Sequence, residues 1–597
     1  MHRRLWLLAG AAAAVLLLAA SATAKTTVAG TAAAAQGTPA AAPFAQAWAQ
    51  VPRTTAGREA ANVVVFGAEQ DIDGFNTNLS CCNELWASWM GGAETGYGAF
   101  IQNQKGQWIP TGITTSASAN SKGVSYTISP KAYWYWGGKK VPVTYKDFVY
   151  TLQKIDDPNT DASQRTGYSN LDPTHFTHKG TKQVTFFWKT KNCTADFPCG
   201  PYANWQSLFS GLYPSAALKG LDFNKIWTNC ICGSDGKPVS DGPYYLSNYT
   251  KGQGSTLIAN PYWIGKKPAI HEVDFKIIAD TNSEEEAMRG GEVDAISPTF
   301  GLYLQPLKST PGITFNQIPG YYFEHIEMRE GNAKAADSVT KGSSNALLRA
   351  PWFREAIAMS LDRQSIINTV YGALAGNTKP QNNAIYYSTE AAYKPDFAKW
   401  NFNPQKALAL MAKNCTGGPT SVDPSNTKIW TCHGLPATIN WSWTSGNSVR
   451  ATSEAIGKAE MKAIGIQVND RPLPPNVIFG SSGLPSGDYD IAEFAEITTG
   501  DPGDWYDSWR CQGAGNWTGY CSHKVDQLLK AGNAELDPTK RTADFQKADA
   551  LMADTVPVFP LYQRPTPLIY KSNLLGMVNN PAIIGPFWNI QDWHWKS

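Results

Sequence analysis

The stretch Glu272–Ala279, EVDFKIIA, reads as a strand. A second run, ANVVVFGAEQ (Ala61–Gln70), is short, apolar and β-branched, and reads as a buried strand followed by a turn at Asp71, Asp73 and Gly74. Between such runs the apolar period becomes helical. In VPVTYKDFVYTLQKI (Val141–Ile155), Thr144 can cap the end, Asp147 sits three residues on, and Phe148, Leu152 and Ile155 line one face. A second helix is expected over RAPWFREAIAMSLDRQSIINTVYG (Arg349–Gly372), with Gly372 placed to end it. A third starts at Asn403 and Pro404. Strands interleaved with helices indicate an α/β chain rather than a sandwich or a bundle. The sequence contains no internal repeat.

The chain has 597 residues, enough for three or four folding units. Its 51 Lys+Arg nearly balance 49 Asp+Glu, so there is no electrostatic footprint for nucleic acid or an anionic membrane surface. The 22 Trp and 25 Tyr suit either an aromatic-rich core or a protein that buries a ligand against rings.

Arg3 and Arg4 precede an apolar run that ends in Ala22-Thr23-Ala24, the pattern of a secretory signal peptide over residues 1–24. No Cys follows it to carry a lipid, so the mature protein is expected to be exported, extracellular or associated with the cell envelope. Residues 25–57, rich in Ala, Thr, Gly and Pro, read as a flexible linker, with folding beginning near Arg58. In an oxidising compartment the ten Cys are expected in disulfides. Three pairs are close in sequence: Cys193 with Cys199, Cys415 with Cys432, and Cys511 with Cys521. Cys81 and Cys82 would then pair with Cys230 and Cys232. A zinc site there is the rival reading, disfavoured by the one-residue spacing of Cys230 and Cys232.

Motifs for nucleotide hydrolysis, serine hydrolysis and zinc proteolysis are absent, and there are only 8 His. The loop GDPGDWYDSWRCQGAGNWTGYC (Gly500–Cys521) offers Asp501, Asp504 and Asp507, but not the alternating oxygen ligands of a calcium loop. Two of these carboxylates beside Trp505 and Trp509 could serve glycoside hydrolysis; the plainer reading is a loop of turn-forming aspartates.

Several segments, in order, resemble the extracellular solute-binding proteins of the peptide/nickel class, family 5. They are KKVPVTYKDFVY (Lys139–Tyr150), SDGPYYLSNYTKGQGSTLIANPYWIGKKPAIHEVDFKII (Ser240–Ile278), EEEAMRGGEVDAI (Glu284–Ile296), FREAIAMSLDRQSII (Phe353–Ile367), GDYDIAEFA (Gly487–Ala495) and TVPVFPLYQR (Thr555–Arg564). The resemblance implies a two-lobed, periplasmic-binding-protein-like α/β fold (class II, cluster C). Lobe I would comprise 58–90, 240–320 and 558–597, an inserted subdomain 91–239, and lobe II 321–557. Disulfides from Cys81 and Cys82 to Cys230 and Cys232 would fasten the subdomain's ends. It also implies a non-enzymatic, monomeric binding component without a cofactor. Such a protein captures oligopeptides by hinge closure and delivers them to a membrane permease with its ATPase. An oligosaccharide or other solute is the alternative, a secreted glycoside hydrolase the alternative from another class, and the low His count gives nickel little support.

In peptide-binding members an Asp in the loop after the Tyr489-Asp490-Ile491-Ala492 strand holds the ligand's ammonium. Aligning the Gly-Asp pair of TTGDPGDWYD (Thr498–Asp507) makes Asp501 that anchor and Asp504 its structural partner. Aligning the Asp-Pro dipeptide puts the neutral Thr498 there instead. Trp505, Tyr506 and Trp509 would wall the ligand, held by a Cys511–Cys521 bridge.

Overall fold

A computed structural model describes residues 51–52, 54–194, 198–330 and 345–596. The signal-peptide reading (1–24) and most of the linker reading (25–57) lie outside them. The described body begins upstream of Arg58, with a helix at Thr55–Ala61 whose end is capped by Thr54 Oγ1 accepting from Gly57 N at 3.1 Å. Arg58 anchors it, its guanidinium gripping both oxygens of the buried Asp294 at 2.6 Å. No helix among the described residues is long and apolar enough to cross a membrane.

Ten strands form the central sheet: β1 Val63–Ala68, β2 Tyr244–Thr250, β3 Gly254–Ala259, β4 Glu272–Ile277, β5 Ala295–Ile296, β6 Ile313–Met328, β7 Thr438–Thr444, β8 Gln467–Leu473, β9 Ile491–Ile497 and β10 Val558–Lys571. Their order is β2-β3-β4-β1-β5-β10-β6-β9-β7-β8. β1 lies parallel to β4 and β5 and is buried on both faces, as expected for a strand between helical layers. The two long strands, β6 and β10, run antiparallel through the middle. Their register breaks between Pro319 and Phe323, where two prolines face each other (Pro319 opposite Pro565) and neither can donate to the ladder. Strands β1 to β5 thus lie on one side of this pair, and β7 to β9 on the other.

The sequence between β1 and β2 builds smaller sheets, one of four strands and one of three, around the helix Tyr145–Ile155. That helix begins with the expected capping box: Lys146 N donates to Thr144 Oγ1, and Thr144 N donates to Asp147 at 2.8 Å. The single helix expected over 349–372 is two, Pro351–Ser360 and Arg363–Tyr371. The break is at Asp362, whose carboxylate caps the second helix by accepting from Ser365 N at 3.0 Å, an interaction a continuous helix could not make.

The bridges Cys193–Cys199, Cys415–Cys432 and Cys511–Cys521 are present. The expected cross-links between Cys81/Cys82 and Cys230/Cys232 are not: Cys81 pairs with Cys82, and Cys230 with Cys232. The two segments are nevertheless held together by hydrogen bonds, Phe75 N to Trp227 O at 2.8 Å and Asn76 Nδ2 to Phe223 O at 3.3 Å.

Candidate functional site

Strand β9 delivers the chain at Ile497 into the aspartate loop. Thr498 is buried there, its N donating to Tyr321 O at 2.9 Å and its hydroxyl bonded to Tyr387 Oη at 2.7 Å. Gly500 follows with φ +83°, where a Cβ would come within 2.7 Å of the Tyr321 ring, so only glycine lets the loop pass.

The three aspartates then diverge. Asp501 accepts from Gly503 N at 2.8 Å and is gripped by Arg541 through both oxygens, at 2.9 and 2.5 Å. Asp507 accepts from Arg510 Nε at 2.8 Å and from Thr166 Oγ1 at 2.9 Å. Asp504 has no such cation; one oxygen accepts from Thr499 N at 2.8 Å and Thr499 Oγ1 at 2.6 Å. Burial, reinforced by the Asp501 charge, pushes Asp504 up to about 7.

Asp504 also sits where two cavities meet, one of about 280 Å³ and one of about 220 Å³. Both are lined by Asn83, Ser88, Gln164, Thr499, Asp504 and Ile583. Asp501 lines neither. The expected wall residues Trp505, Tyr506 and Trp509 are buried behind the loop rather than facing these cavities. Trp505 donates to Ile385 O at 3.0 Å and stacks on Trp509 with centroids 5.7 Å apart. Their place in the core follows from three large rings within five residues of a short helical turn, whose apolar area is best removed from water together. The aromatic walls of the smaller cavity come from elsewhere: Trp86, Trp89, Phe479, Phe494 and Trp517.

Five charged groups of that cavity, Glu69, Glu84, Glu496, Arg450 and Arg564, have no counterpart among the residues singled out in the sequence. Arg450 and Arg564 both reach Glu324, at 2.7 and 3.4 Å. Burial works to raise the Glu324 carboxyl, but the two guanidiniums outweigh it and hold it low. Glu496 accepts from Ser508 Oγ at 2.9 Å, and burial pushes it up to about 7. Glu84 is 5% exposed, and no side chain donates to its oxygens; burial pushes it up to about 8, against the weaker pull of the Glu84 and Asp73 backbone N–H groups. The sequence held a signal for two of them: Arg564 ends the largely apolar TVPVFPLYQR, and Glu496 follows GDYDIAEFA, in a strand where it and Glu493 interrupt the apolar run.

Among the described residues, two clusters offer metal-ligating atoms within 4.8 Å of one another. Cys511, Cys521 and His523 form one, but both sulfurs are consumed by the disulfide. The other is His325, Glu327 and Glu496, where burial pushes His325 down to about 4 and Glu327 up to about 8.

The model of the bacterial extracellular solute-binding proteins, family 5 (middle), matches residues 107–518. Among curated proteins the chain is 27% identical over 358 residues to the probable D,D-dipeptide-binding periplasmic protein DdpA of Escherichia coli (strain K12), covering 58% of this chain and 61% of that one. The alignment thus spans less than two thirds of that relative. It is 24% identical over 492 residues to the oligopeptide-binding protein OppA of Bacillus subtilis (strain 168), covering 78% and 82%. Among solved structures, the oligopeptide-binding protein AppA of Bacillus subtilis in complex with a nonapeptide superposes with TM-score 0.76 at 18% identity, covering 90% of this chain and 99% of that one. The oligopeptide-binding protein of Thermus thermophilus complexed with a pentapeptide gives 0.74 at 20%, covering 90% and 97%. These neighbours share the two-lobed α/β architecture built here on the ten-stranded sheet, and the match over most of the described body makes this chain a member of the bacterial extracellular solute-binding proteins, family 5.

Proposed function

We propose that this protein is the solute-capturing component of an ABC importer, exported from the cell, and that it binds a short peptide between two lobes and hands it to a permease coupled to an ATPase. The observation that carries the reading is the pair of adjoining cavities meeting at Asp504, the smaller of them carrying both carboxyls and guanidiniums on its walls. A peptide needs an acceptor for its ammonium and donors for its carboxylate. Asp504 supplies the first. Arg450 and Arg564, two cations sharing the single carboxylate of Glu324, supply the second. Of the two registers left open by the sequence, neither Asp501 nor Thr498 takes the anchor role here. Asp501 already has Arg541, Thr498 carries no charge, and Asp504 stands one turn further on.

The lobes we assign are those expected from the sequence: lobe I from 58–90, 240–320 and 558–597 with the insertion 91–239, and lobe II from 321–557. The register break at Pro319–Phe323, opposite Gln563–Pro565, supports a hinge between 320 and 321. On β10 the same break falls several residues after 558. The monomeric state is part of the proposal.

No catalysis is invoked. Two of the three loop aspartates are held in ion pairs with arginine, which leaves the acid and base pair of a glycoside hydrolase without a second free carboxylate in that loop. Native mass spectrometry of protein expressed in a peptide-rich host tests the proposal. A co-purified mass that fragments as a peptide is expected. A glycan in its place, or turnover of a glycan panel, overturns the peptide reading.

A further inference from the structure

Four carboxyls line the 220 Å³ cavity: Glu69, Glu84, Glu496 and Asp504. Three are hydrogen-bonded by the protein. Glu69 accepts from Thr299 N and Oγ1, each at 2.6 Å, Glu496 from Ser508, and Asp504 from Thr499. Glu84 is the exception. Its side chain is almost wholly removed from water, yet no side chain donates to it and no cation pairs with it; only the backbone N–H groups of Glu84 and Asp73 reach its carboxyl. Leaving a buried acceptor unsatisfied carries a desolvation penalty of about 1–3 kcal/mol, more for a charged group, and such groups in native structures call for an explanation.

The nearby cations are engaged elsewhere. Lys251 bonds Asp73 at 2.7 Å, and the cavity's arginines, Arg450 and Arg564, turn to Glu324. The same cavity is lined by a second carboxyl, Glu496, and by three indoles: Trp86 and Trp89, edge to face at 4.8 Å, and Trp517. Carboxyls without a paired cation, on cavity walls that also carry indole rings, are complementary to one ligand chemistry, an organic cation on an apolar stem.

We infer that Glu84 and Glu496, walled by Trp86, Trp89 and Trp517, form a subsite for a basic side chain, so that the peptides captured carry lysine or arginine in addition to their terminal ammonium. The inference rests on the peptide reading above. Asp504 takes the terminal ammonium, and Glu84 with Glu496 takes the second cation. The aliphatic part of a lysine or arginine lies against the indoles, which a compact inorganic cation would not use.

Calorimetric titrations with tri- and pentapeptides of alanine, carrying lysine at each position in turn, test this against the same peptides with norleucine, which keeps the stem and lacks the ammonium. At one position the wild-type protein is expected to bind the lysine peptide at least roughly tenfold tighter than its norleucine twin. In Glu84→Gln that ratio should fall to within about twofold. Equal affinity of lysine and norleucine peptides at every position of the wild type overturns the inference, whether or not the variant folds. So does a lysine preference that survives in Glu84→Gln. If norleucine and lysine peptides bind alike, the peptide reading stands and the subsite falls. If no peptide binds, both fall.

Discussion

Glu324 and Glu84 are both buried carboxyls beside the same cavity, and they live by opposite rules. Glu324, on the crossing strand β6, is flanked by Arg450 and Arg564 and kept ionised. Glu84, just before the helix Leu85–Thr95, has no paired cation and is pushed up by burial to about 8. A charge compensated from within the chain belongs to the fold; one left uncompensated in a cavity is completed by a ligand. The same contrast separates Asp501, paired with Arg541, from Asp504, three residues on and without a cation.

The largest effect should come from breaking the internal member of the comparison. Glu324→Ala strands two guanidiniums in the protein and should cost about 3–5 kcal/mol in urea unfolding of the ligand-free protein. A loss below about 1 kcal/mol would mean that the arginines find other partners. Asp504→Asn should instead weaken peptide binding by roughly 2–5 kcal/mol in calorimetry without lowering the unfolding midpoint at neutral pH.

The pH dependence has a defined sign. Glu84 and Asp504 have folded values raised above their unfolded ones, to about 8 and about 7, so the folded state binds more protons between roughly pH 4 and 8. Their contribution to stability is present below pH 4 and is lost as pH rises to 8. The ligand-free protein should therefore lose a few kcal/mol between pH 5 and 8, and Glu84→Gln should flatten the upper part of that slope. A slope unchanged in the variant would remove Glu84 from the account. The smallest effect is expected of Asp501→Asn. It weakens a partly exposed ion pair, costs on the order of 1 kcal/mol of stability, and leaves peptide affinity within about threefold. A large affinity loss there would return the anchor to Asp501.

Much of the scaffold was legible because it depends on neighbours in sequence. Thr144 and Asp147 cap a helix through bonds three residues apart, and Val63–Ala68 is apolar throughout because both faces are covered. The helix over 349–372 misled because its apolar period runs on through Asp362, while the carboxylate prefers a cap. The site was less legible for a tertiary reason. Asp501 and Asp504 are the same residue in the same loop, and what distinguishes them is Arg541 on the helix Pro538–Ala553. Glu84 and Arg564 lie nearly five hundred residues apart and meet only across the cavity. The tryptophans of the loop looked like a ligand wall, and packing sent them inward.

The central claim is that the cavity holds protonated carboxyls awaiting a cation. Glu84 and Asp504 are the groups concerned, with Glu496, Glu69, Arg450 and Arg564 on the same walls and the Asp73–Lys251 pair close to Glu84. Titrating a lysine-containing peptide at pH 7 in two buffers of different ionisation enthalpy counts the protons exchanged on binding. The account predicts release of roughly one to two protons per peptide, because Asp504 and Glu496, near 7, are each about half protonated and Glu84, near 8, about nine-tenths protonated before the cation arrives. Binding with no proton released, or with protons taken up, would contradict it.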